Sequence, residues 1–109
     1  MKYSNAENPL RTPLKKDTPI VFHFREHDKN GNMLARGGET IVYYPKQRLF
    51  GRAICVPIDN YNKKVGTRLA KNQIETNGDL CYCFNTLKNQ DYVTMIDVKY
   101  FAELIYQKY

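Results

Sequence analysis

Serine and histidine are scarce: one serine and two histidines in 109 residues leave little from which to build a serine–histidine nucleophile. Ser4 lies in a polar N-terminal stretch with no sustained hydrophobic period. His23 and His27 are four apart in or just beyond a strand-like run, so the paired-histidine metal geometry of a helix does not apply. A cysteine nucleophile needs a neighbouring base and an orienting group, and nothing in the spacing sets Cys55 beside His23. Gly37, Gly38 and Gly51 are not followed by Gly-Lys-Ser/Thr, so a phosphate-cradling P-loop is missing too. These absences predict a protein that binds without turnover, with no catalytic or metal site and no cofactor.

Long apolar runs are also lacking. None follows the first lysine, as a secretory leader would require, and none is long enough to span a bilayer. The three cysteines, Cys55, Cys81 and Cys83, are an odd number, which argues against a closed disulfide framework and for a reducing cytoplasm. Cys81 and Cys83 share a face at a period of two, but zinc would need two more ligands from Cys55, His23 and His27, and the C-x-x-C spacing is missing. Buried thiols are the simpler reading.

What is present suits one modest domain. Seventeen basic residues against eleven acidic ones leave a charge of +6. Residues 44–72 hold seven basic residues and one acidic residue, a surplus equal to that of the whole chain. A localised surplus attracts phosphates and other anions, whereas scattered lysines merely keep a surface solvated.

Residues 1–17, broken by Asn8-Pro9 and Thr12-Pro13, read as a flexible arm or a segment laid along a single domain over residues 18–109. Residues 18–26 alternate as a strand, and Asn30-Gly31 marks a hairpin turn. Asp28, Asn30, Asn32 and Glu39 match positions one, three, five and twelve of a calcium loop. Met33 stands where that loop needs glycine, Arg36 takes its ninth position and flanking helices are lacking. Residues 33–45 read as the returning strand, bent at Gly37-Gly38. Residues 50–56 form a third strand that Pro57 stops.

Asp59 or Asn60 can cap a helix starting near Tyr61. At about 100° per residue, Lys64, Arg68 and Lys71 fall on one side of it. Val65, Gly66, Leu69 and Ala70 fall on the other, with Ile74 at the edge and Gln73 inside the apolar arc. After a break at residues 76–79, residues 80–84 read as a fourth strand and residues 85–91 as a polar loop. Thr94 and Asp97 form a variant capping box for a last helix. Val98, Phe101, Ala102, Ile105 and Tyr109 recur along it at helical spacing, while Lys99, Glu103 and Gln107 face water. Tyr100, Tyr106 and Tyr109 are candidates for a subunit contact. The expected fold is α+β: an antiparallel sheet of about four strands with two helices packed on one face.

The passage from Gly51 to Ala70 joins an apolar strand, the corner Pro57-Ile58-Asp59-Asn60-Tyr61 and a basic helix containing Gly66. It covers about a fifth of the chain and resembles a pattern in small bacteriophage proteins, most of all the Thoeris anti-defence sponges. That resemblance implies an oligomer in an infected bacterial cell that sequesters a cyclic nucleotide immune signal, of the cyclic ADP-ribose type, without destroying it. For such a small anionic ligand, Arg52, Lys64 and Arg68, with Lys71, would supply charge. Tyr61 or Phe84 would stack on a base, and Asn62 or Asn85 would read polar edges. The alternative is a basic module that tracks nucleic acid or inhibits a CRISPR nucleoprotein, and steep salt dependence would set it apart.

Overall fold

The computed structural model describes residues 12–76 and 81–108. Three strands, β1 (Ile20–Phe24), β2 (Glu39–Tyr44) and β3 (Leu49–Ile54), precede three helices, α1 (Lys63–Thr76), α2 (Asn85–Lys88) and α3 (Met95–Lys108). The strands form one antiparallel sheet in the order β1-β2-β3. Among the described residues no helix is long and apolar enough to cross a membrane.

The central strand explains the architecture. Residues 39–43 of β2 are all buried, although successive strand residues point to opposite faces. Both faces of the sheet must therefore be covered. On one, Ile41 and Tyr43 join Phe50 of β3 and Val98, Ala102 and Ile105 of α3 in the main core, flanked by Ile20, Phe22 and Phe24 of β1. On the other, Thr40 and Gly51 meet α1, which buries Ala70 and Ile74. The two long helices thus lie on opposite faces of the sheet, which corrects the expectation of one shared face. The glycines permit this. A β-carbon on Gly51 would lie 2.1 Å from the Ala70 carbonyl oxygen, and one on Gly66 would lie 2.3 Å from Thr40 Oγ1.

The expected fourth strand is a single bridge. Tyr82 exchanges backbone hydrogen bonds of 2.8 and 2.9 Å with Phe50 on the outer edge of β3. The chain then turns into α2, because Phe84 packs against Phe50 and Phe101 (ring centroids 5.9 and 4.6 Å away) and buried Leu87 follows. The expected polar loop therefore contains a one-turn helix. Arg48, at the β2–β3 turn with φ 57°, reaches across to its end and donates to the carbonyls of Leu87, Lys88 and Gln90 at 2.9, 3.1 and 2.7 Å. Leu80 and the break at residues 77–79 lie outside the described residues.

The turn after β1 forms as its sequence suggests, with Asp28 Oδ1 accepting from the backbone N–H groups of Asn30 and Asn32, both at 2.9 Å. The returning strand starts only at Glu39, not near Met33. Gly37 and Gly38 take φ values of 73° and 97° and divert the chain, so that Ala35 and Gly37 bond to Tyr61 and Asp59 instead of to β1.

α3 carries the expected cap. The Thr94 N–H donates to Asp97 Oδ2 at 2.9 Å, and the Asp97 N–H donates back to Thr94 Oγ1 at 3.3 Å. Of the tyrosines considered for a subunit contact, Tyr106 is used internally: it stacks on Phe24 at 4.5 Å and donates to Glu26 at 3.1 Å. Tyr100 is 59% exposed, and Tyr109 lies outside the described residues.

Candidate functional site

β3 ends at Ile54, and the next residues cannot extend the sheet because Pro57 has no N–H to donate. The Cys55 N–H makes one last bond across to Gly38, at 2.9 Å, before Val56 and Asp59 close a tight turn. Asn60 then bridges to Arg36, and the chain enters α1. The cap is Asn62, not Asp59 or Asn60: its Oδ1 accepts from the Val65 N–H at 3.0 Å. Asp59 and Asn60 are held by the pairing with residues 35–37, which moves the helix start two residues past Tyr61.

A cavity of about 430 Å³ opens between this segment and the first turns of α1. Its apolar walls are Ala53, Ile54 and Val56 on one side and Val65 and Leu69 on the other. The sequence pattern places Val65 and Leu69 in the packed face of α1. Gly66, Ala70 and Ile74 take that role instead, and Leu69 remains 49% exposed. Polar groups come from Thr40, Cys55, Asn60, Tyr61 and Asn62, and the only charged side chain in the lining is Asp59. The Cys55 thiol faces the carbonyls of Val56, Asp59 and Asn60, nearest Asp59 at 3.3 Å.

Beside the cavity, the Tyr61 hydroxyl lies 2.6 Å from Thr40 Oγ1 and 2.7 Å from His23 Nδ1, and it donates to the Glu39 carbonyl at 3.2 Å. The Arg25 guanidinium covers the Tyr61 ring, 4.5 Å from its centre. Burial raises the pKa of Tyr61. Burial, followed by the charges of Lys63 and Arg25, lowers that of His23 below its ordinary 6.5. Folded His23 therefore binds fewer protons than unfolded His23 as the pH falls through 6.5, so its contribution favours folding above that value and is lost below it. Melts from pH 8 to 5.5 are expected to show falling stability below about pH 6.5, with a shallower fall in His23→Gln. Equal slopes would remove His23 as the cause.

The eight sequence candidates divide among three places. Tyr61 and Asn62 line the cavity, although the Asn62 side-chain oxygen is engaged as a helix cap and the Tyr61 ring already carries Arg25. Lys64, Arg68 and Lys71 stay together, with Lys63 and Thr67, on an open surface along the other flank of α1. Arg52, Phe84 and Asn85 belong to neither. Arg52 projects to the α3 side of the sheet, where its Nε and Nη2 donate to the Glu39 carboxylate at 2.6 and 3.1 Å and its Nη1 donates to the Tyr82 hydroxyl at 3.2 Å. Phe84 is part of the aromatic packing around the main core, and Asn85 is exposed at the start of α2. Sequence reasoning missed Thr40, Asp59, Val65 and Leu69 as cavity residues. The signal for Asp59 is its place in the Pro57-to-Tyr61 corner, whose sequence suits a helix cap equally well. No group of three potential metal-ligating side chains comes together among the described residues.

Comparison with protein-family models, with curated proteins and with solved structures finds no match.

Proposed function

We propose that the protein is a non-covalent binder that sequesters a cyclic nucleotide of the immune-signal type without turning it over, as a phage anti-defence sponge would. The carrying observation is the cavity beside α1: its size falls within the usual range for small-ligand sites, about 300 to 1,000 Å³, and its walls are mostly apolar. In this reading a nucleobase would lie between Val65 and Leu69 on one side and Ile54 and Val56 on the other.

The charges set the orientation. Asp59 would repel a phosphate inside the cavity, but its carboxylate accepts hydrogen bonds from an exocyclic amine or a ribose hydroxyl. The phosphates then lie at the mouth, where the start of α1 offers free N–H groups and the positive end of its dipole. This changes the residue assignment: Arg52, Phe84 and Asn85 leave the site, and Lys64, Arg68 and Lys71 sit on the far flank of the helix. Self-association belongs to the same proposal, with exposed Ile96 and Tyr100 on α3 as its contact.

Incubation with cyclic ADP-ribose, removal of free ligand and heat denaturation is the test. Intact nucleotide should be released in proportion to protein. Hydrolysed product accumulating in proportion to protein would overturn the reading, as would the absence of retained ligand.

A further inference from the structure

We infer that the outer flank of α1 is a second, separate binding surface, and that it takes the phosphate backbone of duplex nucleic acid without regard to sequence. Lys63, Lys64, Thr67, Arg68 and Lys71 form an open surface there. Among the described residues the only side-chain ion pair is Arg52–Glu39, so none of these cations is held in an ion pair. Glu75, the only acidic residue of α1, accepts a hydrogen bond from the Tyr44 hydroxyl.

Geometry separates this surface from the cavity. At about 100° per residue, Lys64, Arg68 and Lys71 centre roughly 110° around α1 from Val65 and Leu69, and none of the three lines the cavity. Lys64 and Lys71 are about 10.5 Å apart along the axis at 1.5 Å per residue. Duplex nucleic acid presents about one charge per 1.7 Å of its axis, so the flank can meet several phosphates at once. Proteins that hold single strands stack bases on aromatic side chains, and this flank has none. Base-edge reading also calls for side chains set into a groove, whereas this surface is open and mainly cationic. Backbone contact to a duplex is what remains.

Three to four phosphate contacts predict a log–log salt slope of about −2.7 to −3.6, so that raising salt from 50 to 200 mM weakens binding roughly 40- to 150-fold. The experiment is fluorescence anisotropy with two unrelated 20-base-pair DNA duplexes, a single strand and poly-glutamate, using the full chain and its K64Q/R68Q/K71Q variant. The expected result is equal binding of both duplexes with that slope, weaker binding of the single strand and of poly-glutamate, and loss of binding in the triple variant with an unchanged thermal melt. Arg68→Gln alone should reduce the slope by about 0.9. No duplex binding at 50 mM salt, binding unaltered in the triple variant, or a preference for the single strand or poly-glutamate would each overturn the inference. Asp59→Ala, which alters only the cavity, should bind the duplex as the unaltered chain does, so failure here and failure of the nucleotide reading are separable.

Discussion

Gly51→Ala is expected to cost about 3 kcal/mol, the upper part of the usual range for overpacking a filled interior. The added methyl would stand 2.1 Å from the Ala70 carbonyl oxygen and 3.0 Å from Ile74 Cγ1. The nearer atom belongs to the helix backbone and cannot rotate away, so α1 must move off the sheet. At about 4 to 8 °C per kcal/mol for a small domain, the melting temperature should fall by roughly 12 to 24 °C. Val65 and Leu69 travel with α1, so the cavity should deform as well. Gly31→Ala is the control: its φ is 87°, but nothing lies within 4 Å of the added atom, so only conformational strain of about 1 kcal/mol is expected. Equal melts for the two variants would show that the close approach of α1 to β3 is not what holds the helix.

The second large effect concerns Glu39 and Arg52, whose side chains are each 9% exposed. Glu39→Gln removes the countercharge and leaves a guanidinium nearly buried beside an amide, at an expected cost of about 3 kcal/mol. Replacing both with methionine should recover most of that loss, because a buried ion pair and an apolar pair of similar volume are often close in stability. Urea unfolding of the two singles and the double checks this. The same series decides what Arg52 does. As half of an ion pair, it should lower stability when replaced by methionine and leave nucleotide affinity of the folded protein unchanged. A stable Arg52→Met protein with weakened binding would return Arg52 to the ligand site.

Elements with a strong period or a local chemical signature were legible in the sequence. β1, β3, α1 and α3 lie close to where alternation and helical spacing put them, and the Thr94–Asp97 cap is visible in four consecutive residues. What depends on distant pairing was not. The register that aligns Ile41 with Arg52 also brings Glu39 within reach of that guanidinium, and no local pattern specifies it. Helical spacing identified an apolar arc on α1 but not which part of it the sheet would cover. Two glycines decided that, by letting Gly66 and Ala70 reach the strands while Val65 and Leu69 stayed beside an open gap. The basic flank was legible as a face, but its separation from the cavity required the fold.

Calorimetric titration of cyclic ADP-ribose into the full chain, Val65→Trp and K64Q/R68Q/K71Q tests the cavity assignment most directly. An indole at residue 65 occupies the space between α1 and Val56, so affinity should fall by about 100-fold or more, near 2.7 kcal/mol. The triple variant leaves the cavity intact and should bind within about threefold of the unaltered chain, less than 1 kcal/mol. Unchanged affinity in Val65→Trp together with lost binding in the triple variant would place the nucleotide on the cationic flank and contradict the site described above.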